Sequence, residues 1–355
     1  MSRNRQIPLL QKNVDLQPYN TLKVPAKADQ MAVIRKKSHL EWLFHQKFLD
    51  NGYWILGEGS NVLLRGRLKR LVLRNEIDFL EILEDGSQKV LLKAGGGMNW
   101  HRLVEACVAR GWGGIENLAL IPGTVGAGPI QNIGAYGVEL EERFVSLEAF
   151  DLQNGRFLEF EKQACRFGYR DSVFKREFKG RYFITSVTLQ LNKSPHEIRR
   201  SYRSLDDKLK NEGIEKPGIR DIFDAVVSIR TEKLPDPKDL GNAGSFFKNP
   251  VVNRAAGDRL QKAWPEMPVY PAGDSQVKIP AGWLIEKTGW KGKRVGNTGT
   301  YDNQALVIVN HGGATGEEIW TLARSIQASV HEKFGIDLVP EVNIIEDNDN
   351  QSVSH

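Results

Sequence analysis

Two cysteines in 355 residues, Cys107 and Cys165, are too few for a disulfide framework, and both sit in apolar, regular contexts. The pair could form one bridge; free thiols in a reducing cytoplasm are the expectation. No run of about 18 apolar residues occurs, so no membrane-spanning helix is expected. The start, "MSRNRQIPLLQKNVDLQPYN", holds only a short apolar patch before Asp15, so no secretory leader is expected either. There are no charge blocks. Lys plus Arg total 49 and Asp plus Glu 44, interspersed, for a net charge of +5. A solvated surface accounts for that balance, and the small cation excess suits an anionic ligand. A nucleic-acid reader would show a basic stripe with aromatics, and none is present. Paired C-x-x-C and H-E-x-x-H are absent, so no metal site is expected. The Walker A lysine is missing, and no G-x-G-x-x-G opens a helix with an acid about 20 residues on.

The chain is too long for one small core, and two or three domains are expected. Residues 18–85 read as mixed strand and helix. "YWILGEGSNVLL" is a strand, a glycine turn and a second apolar run, and "LKRLVLRN", "FLEILED" and "SQKVLLKAGGG" read as strands. Trp100, Leu103, Val104, Cys107 and Val108 recur at helical spacing, and Gly111 follows as a stop. "FVSLEAF" and "YFITSVTLQL" are strands around "CRFGYRDSVFK". In "DIFDAVVSIR", Ile222, Ala225, Val226 and Ile229 share one helix face. "EKLPDPKDL" breaks that helix and reads as a domain boundary. Beyond it come short helices at "DRLQKAW" and "AGWLIEKTG", a strand at "ALVIVN", and a long helix ending at Gly335. "DLVPEVNII" reads as the last strand, and the tail "EDNDNQSVSH" as unstructured.

Glycine is what the sequence has in excess, 34 residues in all. It gathers at 57–61 "GEGSN", 95–97 "GGG" and through 113–137, "GGIENLALIPGTVGAGPIQNIGAYG". This last stretch is nearly uncharged, unlike a surface linker. With Ser60 and Thr124 these loops offer free backbone N–H groups and hydroxyls, a surface for a pyrophosphate and a flat ring. A separate oddity is "GNAGSFFKNP". Ser245 stands between small residues and two phenylalanines, a hydroxyl presented on tight backbone beside an aromatic wall. It is not the G-x-S-x-G elbow of a hydrolase.

Eight blocks, in order, resemble the UDP-N-acetylenolpyruvoylglucosamine reductase family: "NTLKVPAKAD", "LGEGSNVLL", "GIENLALIPGTVGAGPIQNIGAYGVEL", "FGYRDSVFK", "KLPDPKDLGNAGSFFKNPVV", "AGWLIEKTGWKG", "QALVIVNHGGATGEEI" and "LVPEVNII". The resemblance covers about residues 18–346. The stretch 198–205 and "KLPDPK" are similar to the longer, type I form, which carries an extra loop closing on the substrate.

The resemblance implies an α+β protein: an FAD-binding fold of the vanillyl-alcohol-oxidase type with an inserted α+β substrate-binding domain. The divisions it suggests are 1–85 and 86–229 for two FAD-binding subdomains, the second completed by 336–355, and 230–335 for the substrate-binding domain. It implies FAD and NADPH as cofactors, and reduction of an enolpyruvyl UDP-sugar in peptidoglycan precursor synthesis. Reduction at one alkene carbon pushes charge into the neighbouring carboxylate, so the site needs cations there and an acid over the adjacent carbon. By resemblance Ser245 is the proton donor, Arg170 holds the carboxylate, and Glu341 lies beside it. Tyr202 and Lys233 would bind the substrate's diphosphate; Lys233 also suits a helix C-terminus. Asn249 and Gln304 would be amide contacts. The cofactor would touch Gly57, Gly59, Ser60, Asn61, Pro122, Gly123, Thr124, Gly126, Ala127, Gln131, Asn132, Gly134, Ala135 and Tyr136. Two departures stand out. Tyr202 is followed by Arg203 and Ser204 where the family often has Gly then an acid, and Tyr301 stands where His is common. A soluble cytoplasmic monomer without nucleic-acid or membrane partners is expected. Two other readings are an FAD-dependent alcohol or sugar-lactone oxidase of the same fold, and a colourless basic binding module. The oxidases often tether FAD to His or Cys, and the 113–137 loop contains neither.

Overall fold

The computed structural model describes residues 7–347. The basic start at 1–6 and the tail 348–355 lie outside the described residues. Eight α-helices occur among the described residues: α1 (Lys37–His45), α2 (Trp100–Ala109), α3 (Lys162–Cys165), α4 (Arg203–Asn211), α5 (Ile219–Lys233), α6 (Arg254–Ala263), α7 (Ala281–Lys287) and α8 (Gly316–Phe334). α2 starts on Asn99, whose side chain accepts from Arg102 N. α8 starts on a Thr315–Glu318 capping box and stops at left-handed Gly335.

Three main sheets carry these helices. The first orders strands Leu9–Asp15, Lys27–Ile34, Leu71–Asn75 and Tyr53–Leu56, with Tyr53–Leu56 at the edge. Its last two pairings are parallel, which requires the crossover through α1. The second sheet is antiparallel, ordered Arg156–Glu161, Phe144–Asp151, Tyr182–Asn192, Lys89–Gly95 and Leu80–Asp85. One core packs it against α2, α5 and the 113–137 loop, with Leu103, Ile115, Leu118, Val125, Ile222 and Val226 buried. The third sheet orders Gly241–Ser245, Val307–Asn310, Thr298–Thr300 and Arg294–Val295. It shares its core with residues of the first unit, Leu22, Val24, Leu63 and Leu64 among them. Cys107 and Cys165 are both buried and unpaired. No described helix is long and apolar enough to cross a membrane.

Four expectations change. Leu80–Asp85 forms a hairpin with Lys89–Gly95, so the second sheet starts at Leu80 and a boundary at 85 would cut it. The final strand pairs in parallel with Val62–Leu64 and thus completes the first unit, not the second. Only Asn343–Ile345 of "DLVPEVNII" is strand. Pro340 has no N–H for a ladder, and the chain around it makes no ladder, only an isolated bridge with Phe247 and one bond from Lys248 N to the Val339 carbonyl, while Leu338 is held by Gln327 of α8. The tail is anchored further than its composition suggests. Glu346 pairs with Arg65, and Asp347 accepts from Arg70 N at 3.0 Å and pairs with the Arg70 guanidinium at 3.2 Å.

Candidate active site

The edge strand Tyr53–Leu56 runs straight into "GEGSN", and the 113–137 loop folds over that turn. Gly59 has φ +65°, and a Cβ on it would lie 2.1 Å from the Tyr19 carbonyl oxygen. A Cβ on Gly57 would lie 2.9 Å from Thr124 Oγ1, so the two loops meet closer than any side chain permits. Glu58 locks them together. Its carboxylate accepts from Asn99 Nδ2 at 2.7 Å and from Gly123 N at 3.0 Å. Gly59→Ala is therefore expected to cost both folded stability and cofactor affinity, read as a lower Tm and a colourless preparation. An unchanged Tm with bound flavin would contradict this account.

These loops line one wall of a cleft of about 1520 Å³. Pockets for single drug-sized ligands run to roughly 300–1,000 Å³, and this cleft exceeds that range. Its walls combine bare glycine backbone with Ile55, Ile121, Ile133, Ile184 and Ile344. A flat ring against apolar side chains and a pyrophosphate against backbone N–H groups both fit such walls.

Of the residues expected at the cofactor, Gly57, Gly59, Ser60, Asn61, Pro122, Gly123, Thr124, Gly126, Ala127, Gln131 and Gly134 line the cleft. Asn132, Ala135 and Tyr136 do not. Asn132 is fully buried, and its amide reaches Glu139 at 3.0 Å and the Gly168 carbonyl at 3.2 Å. It anchors the loop from behind. The expected catalytic residues, Arg170, Ser245 and Glu341, all line this cleft.

Ser245 ends its strand after an irregularity between Asn242 and Ser245 that leaves Gly244 left-handed, at φ +67°. Ser245 is exposed to the cleft. Phe246 and Phe247 are not a wall beside the hydroxyl. Both are 1% exposed and pack edge-to-face at 5.2 Å in the core below, so they anchor the turn. The Phe246 carbonyl accepts from Glu341 N at 2.8 Å, which brings the C-terminal segment beside Ser245. Asn61 closes the junction: its Nδ2 donates to Gln131 Oε1 at 3.2 Å and to the Glu341 carbonyl at 3.3 Å.

Arg170 sits in a left-handed conformation, φ +53°. Its Nε lies 3.7 Å from Glu341 Oε1, and its Nη2 donates to the Gly134 carbonyl. Its Nη1 is buried with no hydrogen-bond partner among the described residues. A strained backbone and an orphaned donor on one residue mark a place held for a ligand rather than for stability. Burial pushes the Glu341 carboxyl above the ordinary glutamate value, against the pull of Arg170, Lys175 and Lys248. Burial and the nearby Lys248 hold the Lys175 ammonium below its ordinary value. Arg170, Lys175 and Lys248 all act on Glu341, while Glu139 also acts on Arg170 and Asp171 on Lys175.

The other expected contacts lie elsewhere. Asn249 Oδ1 accepts from Ala281 N at 2.9 Å at the start of α7, and Asn249 lines a separate shallow groove with Tyr169 and Lys248. Gln304 turns its Oε1 back onto Leu306 N at 3.3 Å and is not on the cleft wall. Lys233 is exposed in the last turn of α5, where its charge faces the helix C-terminus. Tyr202 precedes α4, half exposed, with its ring edge-on to Tyr136 at 5.3 Å. The 198–205 stretch therefore carries the start of a helix. Tyr301 lines the cleft. Sequence reading missed Glu58, His101 and Arg230, all on the cleft wall. Arg230 carried a signal: it follows Val226 by four residues, a cation at the edge of an apolar helix face.

Fold and site together define an FAD-binding α+β enzyme with a second ligand seat beside the cofactor wall. Residues 50–161 match the FAD binding domain, and residues 236–345 match the UDP-N-acetylenolpyruvoylglucosamine reductase C-terminal domain. The reductase of Amoebophilus asiaticus is 45% identical over 95% of this chain and 99% of its own length. That of Pseudomonas aeruginosa is 46% identical over 94% and 98%. The chain belongs to the UDP-N-acetylenolpyruvoylglucosamine reductase family. The crystal structure of the Thermus caldophilus reductase shares the fold, with a TM-score of 0.66 at 23% identity, covering 95% of this chain and 99% of that one.

Proposed function

We propose that this chain is an NADPH-dependent, FAD-containing reductase that converts the enolpyruvyl ether of UDP-N-acetylglucosamine to UDP-N-acetylmuramate for peptidoglycan. The observation that carries this reading is that Ser245, Arg170 and Glu341 line one cleft, with Arg170 paired to Glu341 and Lys175 and Lys248 acting on the same carboxyl. FAD would be held by Gly57–Asn61 and the 122–134 loop and would supply the two-electron chemistry between NADPH and the alkene. Arg170 then receives the substrate carboxylate, and its permanent charge stabilises the enolate-like dianion that develops. Glu341 holds the guanidinium at that angle from the Nε side. Lys175 and Lys248 add field without needing contact. Ser245 Oγ delivers a proton to the carbon next to the carboxylate. A hydroxyl is a weak acid, and only a carbanion-like carbon is basic enough to take its proton. Water in the open cleft returns one to the serine.

The test is spectroscopic. The purified protein is expected to be yellow, to bleach anaerobically with NADPH, and to recover colour on adding the enolpyruvyl nucleotide. A colourless protein points to a binding module, and one bleached by a sugar or alcohol instead points to an oxidase. We place the enzyme in the cytoplasm, acting as a monomer. Two buried unpaired thiols suit a reducing compartment.

A further inference from the structure

One residue of the cofactor loop is in a conformation its side chain does not favour. Leu120 has φ +56°, the left-handed region that leucine rarely adopts. It stands immediately before Ile121–Pro122–Gly123, the turn that lines the cleft beside "GEGSN". Both polar groups of Leu120 are held from outside the loop. Its N–H donates to His101 Nδ1 at 3.0 Å, on α2. Its carbonyl accepts from Arg230 Nε at 3.3 Å, on α5. The two holders are themselves joined, because the His101 ring stacks on Phe223 of α5 at 5.5 Å and 5°. Arg230 has a second duty. Its guanidinium also lies beside the side chain of Tyr136, which is left-handed too, at φ +49°. Among the described residues no carboxylate pairs with Arg230, so ion pairing does not account for its place on the cleft wall. The geometry does: one guanidinium, fixed on a helix, reaches two left-handed residues at the two ends of the cofactor loop.

We propose that His101 and Arg230 are positioning residues that clamp the Leu120 peptide in its left-handed state and so pre-form the cofactor-binding turn at Ile121–Gly123. The inference rests on the reading that FAD occupies this cleft. The Nδ1 atom accepts a backbone proton only while unprotonated, and burial, its main cause, lowers the His101 pKa from 6.5. A preformed turn spares the ligand the ordering that a loose one would require.

A left-handed leucine released from its clamps reverts to ordinary backbone, whereas glycine stays left-handed without help. The test is therefore rescue. FAD is titrated into cofactor-stripped wild type, His101→Ala, Leu120→Gly and the double variant, with quenching of FAD fluorescence as the readout. His101→Ala is expected to weaken FAD binding roughly tenfold, the equivalent of about 1.4 kcal/mol. The same change in the Leu120→Gly background is expected to cost about twofold or less. An equal penalty in both backgrounds overturns the proposal, because a merely structural histidine would not sense residue 120. Should His101→Ala not fold, Leu120→Gly against Leu120→Ala decides. Both lack the side chain and only glycine relieves the strain, so tighter FAD binding by Leu120→Gly supports the clamp and equal affinity refutes it. Arg230→Lys, unable to span Leu120 and Tyr136 together, is expected to show the same rescue by Leu120→Gly. Wild-type protein that binds no FAD would sink the functional reading instead.

Discussion

Ser245→Ala is expected to abolish turnover of the enolpyruvyl substrate while leaving bleaching of the bound flavin by NADPH unchanged. The expected loss is roughly 10²- to 10⁴-fold, the span usually supplied by a positioned proton donor. The split arises from geometry. Ser245 is a small, exposed side chain at the end of a strand whose anchors are Phe246 and Phe247 in the core. Removing one oxygen disturbs neither those anchors nor the glycine cradle. Rapid-mixing absorbance near 450 nm, first with NADPH and then with substrate, reads the two halves separately. Equal loss in both halves would make Ser245 a structural residue and leave the proton without a source.

The second large effect is at the Arg170–Glu341 pair, and the two partners are expected to behave differently. Arg170→Ala removes the carboxylate's main cation. Loss of one such stabilising group costs roughly 10²- to 10³-fold in turnover. It also strips Glu341 of its closest cation in a half-buried place, so the fold should weaken as well. Glu341→Gln is expected to slow turnover through the loss of Arg170's brace and yet to stabilise the protein at pH 8. The sign follows from the raised carboxyl. A glutamate whose carboxyl holds its proton more tightly in the folded than in the unfolded state contributes stability below its unfolded value near 4.5, and that contribution fades as pH rises through the folded value. A glutamine keeps the neutral shape at every pH. Thermal melts of both proteins from pH 4 to 8 would show wild type losing Tm relative to Glu341→Gln as pH rises. Parallel curves would mean that burial does not control this carboxyl.

Much of the site was legible because its chemistry is carried by short runs. "GEGSN" and 113–137 announce close backbone contact, since glycine at that density with so little charge serves no linker. The Tyr19 oxygen, 2.1 Å from a Cβ on Gly59, is the physical form of that signal. Asn249, Gln304 and Lys233 read as contacts only from their places in matching blocks. None of the three lines the cleft: Asn249 and Gln304 each use their amide oxygen on a backbone N–H and Lys233 stands at a helix end, and no single-sequence pattern shows where an amide turns. Asn132 belongs to the same group, hidden behind the loop it was expected to line. Glu58 was missed because an acid in a phosphate-type loop looks like a surface residue until Asn99 and Gly123 are seen to donate to it.

The sequence by itself determined the glycine cradle, the amphipathic helices, the odd serine between Gly244 and Phe246, and the kinship that joins them. These are local matters: residues within a few positions of one another choose backbone angles and faces. Only the tertiary structure decided that Ser245, Arg170 and Glu341 share a wall, that the last strand returns to Val62–Leu64, and that His101 and Arg230 grip Leu120. Each of these contacts joins segments tens to hundreds of residues apart. Packing of whole sheets and helices brings them together, and no local preference encodes that.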